Sequence, residues 1–184
     1  MYERSLTLDK NATAYSNLGT SLYQQGMYPD AARAHEGAVG LPGATFLHWY
    51  NLGAASYWAD RRARAKEAYE TALKLGEAAG GRAAPGLQSQ LAASHAVLAL
   101  LTDGAEREEH QSRARALLAL IDPQTRDANV LSTVATTYEE LGDRERALEW
   151  LARAMKAGQS VKSIERSPWL TKLRGDERYQ QLRR

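Results

Sequence analysis

The sequence predicts an all-α fold made of stacked helical hairpins, and three observations lead there. Residues 14 to 39, AYSNLGTSLYQQGMYPDAARAHEGAV, align without a gap on residues 48 to 73, HWYNLGAASYWADRRARAKEAYETAL, at an offset of 34 residues. A fixed period of that size marks one supersecondary unit repeated along a chain. Within each copy, Ala31 and Ala38, then Ala65 and Ala72, recur seven residues apart, so the small residues of each second segment share one helix face. Finally, apolar residues make up 43% of the 184 and charged residues 25%, which supplies a core and is too apolar for a wholly disordered chain.

The glycines explain why the unit is a hairpin. Gly19 and Gly53 stand inside helical stretches, where glycine costs roughly 1 kcal/mol against alanine, so their use is to let a second helix cross closely, opposite the alanine face. A two-helix hairpin leaves one apolar face uncovered, so neighbours must stack and about three or more units are expected. Between the two copies Tyr15 corresponds to Trp49, Asn17 to Asn51, Leu18-Gly19 to Leu52-Gly53, Ala31 to Ala65 and Ala38 to Ala72. This pattern resembles the tetratricopeptide repeat, here over residues 12–45 and 46–79. The resemblance implies a right-handed superhelical solenoid whose first helices line a concave groove.

The other elements follow in order. Residues 1–11, containing YERSLTLDK, read as the last turns of a second helix without its partner, as if the sequence began inside an earlier repeat of a longer polypeptide. Residues 80–87, around GGRAAPG, read as a loop. Residues 88–124 hold a degenerate hairpin with helices over 87–102 and 105–121, split at Asp103-Gly104 and ending at Asp122-Pro123. There His95 stands for the aromatic and Leu98-Ala99 for Leu-Gly. Residues 128–158 repeat the pattern with Leu131, Val134-Ala135 and Tyr138, then Gly142, Ala147, Leu151 and Ala154. Asp143 is the expected N-cap of that last helix, with Glu145 in its first turn. Residues 159–184 are a helical cap whose apolar positions are Trp169, Leu170, Leu173, Tyr179 and Leu182. The stretch SPWLTKLRGDERYQQLRR is similar to the segment that follows tetratricopeptide repeats in bacterial signalling proteins, such as serine/threonine kinases and winged-helix regulators.

Composition and motifs exclude several function classes. The absence of cysteine removes disulfides and thiolate metal sites, and cytoplasm is the default expectation. No apolar run approaches the roughly 20 residues of a membrane helix. A net charge of +2, from 24 Lys and Arg against 22 Asp and Glu, offers little to nucleic acid. The basic cluster Arg61, Arg62, Arg64 and Lys66 lies on a helix among Glu67 and Glu70 and reads as a solvated face. His35, His48, His95 and His110 make no metal-ligand spacing, and His35 reads as packing in the aromatic position of its helix. No phosphate loop or nucleophile elbow occurs. The neighbouring carboxylates Glu139 and Glu140, like Glu108 and Glu109, point about 100° apart on a helix. No cofactor, metal or catalytic activity is expected.

What remains is a non-catalytic protein-binding module. Trp49, Leu52 and Gly53 match packing positions. Asn17, Thr20, Tyr23 and Gln24, with Tyr50, Asn51, Tyr57 and Trp58, are expected to project away from the seam set by Leu18 and Leu52, beside Ala54. They form the candidate site for a peptide or partner helix, where aromatics anchor and amides pair with backbone. A clamp for a C-terminal carboxylate, as some arrays of this kind have, is disfavoured, since Ser16, Thr20, Ala93 and Val97 stand where its polar and basic groups would be. The alternative is a structural spacer or self-assembly module for a neighbouring catalytic or DNA-binding domain. Weak self-association through the segment from Tyr2 to Leu8 is expected in either case.

Overall fold

The structure, a computed structural model, describes residues 11–80 and 84–183. The segment of residues 2–10, and with it the expected partial helix and self-association edge, lies outside them. All regular structure among the described residues is helical. The chain forms two compact units, Met1–Gly80 and Gly81–Arg184.

The first unit contains α1 (Ala12–Gln24), α2 (Tyr28–Val39), α3 (Phe46–Trp58) and α4 (Arg62–Ala78). α1 pairs with α2 and α3 with α4, while α2 also packs on α3 and α1 touches α3. The apolar face that the first hairpin leaves open is therefore covered by the second. Asn11 caps α1, its side chain accepting from the Ala14 amide at 2.7 Å, which satisfies one of the unpaired donors of the first turn. α1 ends at Gly26, in the left-handed region at φ 78°. The Gly26 amide donates to the Tyr23 carbonyl and the Met27 amide to the Leu22 carbonyl, both at 3.0 Å, the pairing that closes a helix with a left-handed residue. One repeat later Asp60 takes that conformation at φ 58°, with the Arg61 amide donating to the Ser56 carbonyl at 2.9 Å.

The hairpin seam is made of the small residues the sequence marks. Ala31, Ala38, Leu52, Ala65 and Ala72 are fully buried. A methyl group on Gly19 would come within 2.6 Å of the His35 ring, and one on Gly53 within 2.8 Å of the Tyr69 ring. The glycines thus make room for a flat ring from the facing helix, with the alanines buried to either side, rather than for the alanine face itself.

The second unit contains α5 (Pro85–Leu101), α6 (Gly104–Ala119), α7 (Ala128–Glu140), α8 (Arg144–Lys156), α9 (Val161–Arg166) and α10 (Glu177–Leu182), with single 3₁₀ turns at Pro168–Leu170 and Leu173–Gly175. The expected loop over 80–87 is corrected at its end: Pro85 opens α5, because proline has no amide hydrogen to lose in a first turn and its φ is already helical. α5 pairs with α6 and also packs on α7, and α7 pairs with α8. Asp143 caps α8 by accepting from the Arg146 amide at 3.2 Å. Ile164, Leu170, Leu173 and Tyr179 of the cap join the core of α7 and α8. Trp169 is half-buried and Leu182 is 36% exposed, so Leu182 is not one of the covering residues. Arg174 holds the cap by donating to the carbonyls of Ile164 at 3.3 Å and Ser167 at 2.7 Å.

Two tests follow from the seams. Ala65→Glu and Ala147→Glu each force a charge into a fully buried crossing, and thermal melting should show a loss of several kcal/mol, whereas exposed Arg62→Glu should shift the melt little. The second test uses acid. Burial, then the neighbouring His48, lowers the pKa of His35 to about 4. Burial, then His110 and Arg113, lowers that of His95 to about 4 as well. Both values lie below the unfolded 6.5, so the stability tied to neutral imidazole is complete above pH 6.5 and declines as pH falls toward 4, by roughly 3 kcal/mol per group at the limit. Melting curves between these pH values should show the loss. His35→Tyr, which installs the residue found one repeat later at Tyr69, should remove about half of it, leaving the part due to His95.

Candidate functional site

The free face of the first helices follows from helical geometry. Residues four, three and four apart share one side of a helix, and on α1 that series is Thr13, Asn17, Thr20 and Gln24, all exposed. The series recurs on α3 as Leu47, Asn51, Ala54 and Trp58, with Leu47 46% exposed and the others half-buried. α1 and α3 touch, so these are equivalent faces of neighbouring helices. Asn17 and Asn51 each offer an amide that donates and accepts.

The aromatic candidates separate into two groups. Tyr23 and Tyr28 meet edge to face with centroids 5.2 Å apart, Tyr28 and Trp58 lie 6.1 Å apart, and Tyr57 meets Trp58 edge to face at 5.4 Å. This cluster links α3 to the start of α2, so half-buried Trp58 helps to hold the hairpins together as well as contributing to the free face. Tyr50 is a correction. Its ring stacks on Phe46 at 5.8 Å and meets Tyr69 edge-on at 5.8 Å, and Tyr69 is only 1% exposed. Tyr50 therefore belongs to the seam between α3 and α4 rather than projecting away from it. Trp49 is half-buried, with the Arg64 guanidinium 5.6 Å over its ring.

The second unit does not repeat this face. On α5, Ala93 and Val97 are 3% and 2% exposed, so neither can contact a ligand. The register expected there is also corrected. His95 and His110 face each other across the hairpin, Nδ1 to Nδ1 at 2.9 Å, with one ring donating and the other accepting. They are 15 residues apart, where Gly19 and His35, or Gly53 and Tyr69, are 16 apart across a turn one residue longer. His95 thus occupies the crossing, not the aromatic position. α5 ends on Thr102 in extended backbone and the left-handed residue, Gly104 at φ 55°, instead opens α6, while Arg107 caps α5 by donating to the carbonyls of Ala99 at 3.1 Å and Thr102 at 2.9 Å. Counting back from Asp103-Gly104 to the crossing, instead of matching Leu-Ala to Leu-Gly, finds this register in the sequence.

On α7 the matching series is Asn129, Thr133, Thr136 and Glu140. Both threonine hydroxyls donate back to helix carbonyls, of Asn129 and Ser132, at 2.9 Å. Glu139 is clamped by Arg144, through Nη2 at 2.5 Å and Nε at 2.7 Å, and Arg144 reaches Asp176 of the cap at 3.6 Å. Glu140, by contrast, has a buried Oε2 with no hydrogen-bond partner among the described residues. Burial, then the charge of Glu139, holds its acid well above the ordinary carboxylate range. The sequence shows the two carboxylates as neighbours, but not that one is ion-paired and the other desolvated.

Among the described residues no cluster of three or more metal-ligating side chains occurs, and no helix is long and apolar enough to cross a membrane. Compared with known proteins, residues 11–41 match the tetratricopeptide repeat family. No curated protein matches the sequence. In fold the chain is similar to TTC0263, a thermophilic tetratricopeptide-repeat protein of Thermus thermophilus, with a TM-score of 0.61 and 20% identity over 93% of this chain and 86% of that one. It is also similar to the MamA protein, with a TM-score of 0.51 and 18% identity over 85% of this chain and 78% of that one. These likenesses establish the all-α, tetratricopeptide-type hairpin fold.

The two glutamates yield a test. The folded state favours neutral Glu140, so its contribution is complete below the unfolded carboxylate value of 4.5 and is lost as pH rises above it. Glu140→Gln should raise the melting temperature at pH 7 and leave it nearly unchanged at pH 4. Glu139→Gln, which removes the buried carboxylate that clamps Arg144, should lower it at pH 7.

Proposed function

We propose that this chain, with its tetratricopeptide-type fold, is a non-catalytic protein-interaction module that takes an extended peptide or partner helix on the face of α1 and α3. It serves within a larger bacterial signalling or regulatory protein of the cytoplasm, a context supported by the similarity of the segment from Ser167 onward to those proteins. The observation that carries the binding reading is the pair Asn17 and Asn51. They recur 34 residues apart on equivalent free faces of touching helices, and neither is needed for the seam. Thr20 and Gln24 extend that surface toward Tyr57 and Trp58, which is the arrangement of amide contacts beside an aromatic anchor that recognises extended chains. Tyr23 is a correction, since its ring packs on the core of Ala31, Ala32 and Ala55 with its hydroxyl buried, and it supports the surface from within. Tyr50 supports the site from behind, by fixing Tyr69 and the crossing.

A pull-down with the intact chain, repeated with Asn17→Ala/Asn51→Ala, tests the reading. The double variant should melt with the parent and bind any captured partner at least about tenfold more weakly. Trp58→Ala should weaken binding and also lower the melting temperature, since its ring packs on Tyr28. Trp49→Ala should lower the melting temperature alone. A double variant that binds as the parent does would remove this face from the site.

A further inference from the structure

We infer that the segment recognised on α1 and α3 is uncharged, bound through its backbone amides and one apolar anchor, and insensitive to salt. The inference rests on the binding reading above and adds the chemistry of the partner. Its basis is a segregation of charge between the two helices of each hairpin. Neither α1 nor α3 contains an Asp, Glu, Lys or Arg, whereas α2 and α4 carry all such residues of the four helices. Charges of the second helices and the turn before α4 are engaged with one another: Glu36 lies 3.2 Å from Arg61 and 3.8 Å from Arg64, and Arg64 lies 2.7 Å from Glu67. The single titratable imidazole on α3, His48, is spent on its own helix end, with Nδ1 accepting from the Thr45 amide at 3.0 Å. That bond requires the ring nitrogen unprotonated.

A charged side chain laid on this face would lose water and meet only amides, hydroxyls and rings. Such unpaired desolvation is the penalty by which an interface rejects the wrong partner. A peptide backbone meets the opposite situation. Its carbonyl and amide groups are matched by the donor and acceptor of Asn17, Thr20, Gln24 and Asn51 without any charge to bury. An aliphatic or aromatic side chain can pack against the half-buried rings of Trp58 and Tyr57, which meet at 5.4 Å beside Tyr28. With the rings turned to one another, little π surface is left to attract a cation.

Selection of a random dodecapeptide phage library on the immobilised full chain, with counter-selection on Asn17→Ala/Asn51→Ala, tests this directly. The expected family is depleted in Asp, Glu, Lys and Arg and carries an apolar anchor. Its synthetic peptide should show a Kd that changes less than about twofold between roughly 0.05 and 0.5 M salt. Enrichment of acidic or basic peptides whose affinity falls tenfold or more with salt would overturn the inference while leaving the site in place. A library that yields no family, or one that binds the double variant equally well, would overturn both this inference and the site beneath it.

Discussion

The crossing of a ring over a glycine is the contact on which the first unit depends. At Gly19 and Gly53 the missing side chain lets His35 and Tyr69 come so close that a methyl group would stand within 2.6 to 2.8 Å of the ring. That closeness brings the alanines of α2 and α4 into the seam with no surface left open. It also fixes the rotation of α1 and α3 about their axes. Once Leu18 and Gly19, or Leu52 and Gly53, face the partner helix, the series through Asn17 and Asn51 must face away. The candidate face is therefore a consequence of the seam, and its position follows from two glycines rather than from any residue in it.

Where the crossing changes, the free face changes with it. The third hairpin replaces glycine and ring by two imidazoles, His95 and His110, and shortens its turn by one residue. α5 is then buried almost continuously from Gln88 to Ala99, so it presents no row of amides. The fourth hairpin restores the long turn with Gly142 at φ 79° and Ala135 in the crossing, but its matching series ends in the desolvated Glu140. The neighbouring Glu139 serves the cap. Arg144 joins Glu139 on α7 to Asp176 at the start of α10, and Arg178 adds a contact to Asp176 at 2.8 Å. Hydrogen bonding from Arg178 holds the Asp176 carboxyl well below the usual range. The end of the array is thus closed by ions as well as by Leu170, Leu173 and Tyr179.

Much of this fold is legible in the sequence, because a gapless repeat records backbone geometry: glycine where helices cross, alanine beside it, a turn residue where the left-handed region is needed. The exceptions are positions where identity alone does not fix the environment. Tyr50 and Tyr57 are both tyrosines of the same helix, yet only the placement of Tyr69 turns one into the seam. Pro85 looks like a breaker and is a helix opener, because the two roles differ in whether a helix carbonyl four residues earlier needs the amide hydrogen that proline lacks. Matching Leu98-Ala99 to Leu-Gly misplaces His95 by one helical turn, since apolar-small pairs such as Leu91-Ala92 and Leu98-Ala99 recur along this almost wholly buried helix. Glu140 looks like its neighbour until the fold leaves one of them without a cation. For the candidate face, which residues are free is legible from spacing, while how much of Trp58 is shared with Tyr28 is not.

Burial shifts the titration of His35 and His95 at the hairpin crossings, of His48 in the first turn of α3, of Glu140 at the ion-paired end of α7 and of Tyr179 in the cap. None of them is among Asn17, Thr20, Gln24 and Asn51, whose amides and hydroxyl do not titrate in the physiological range. His35 and His95 push stability down on the acid side, and Glu140 pushes it down on the alkaline side, so the fold is most secure between the two. Recognition through uncharged groups would then hold constant over that interval and fail only when a seam opens. In this arrangement the hairpin crossings and the end of α7 carry the pH dependence of stability, while the amides and hydroxyl of Asn17, Thr20, Gln24 and Asn51 carry none.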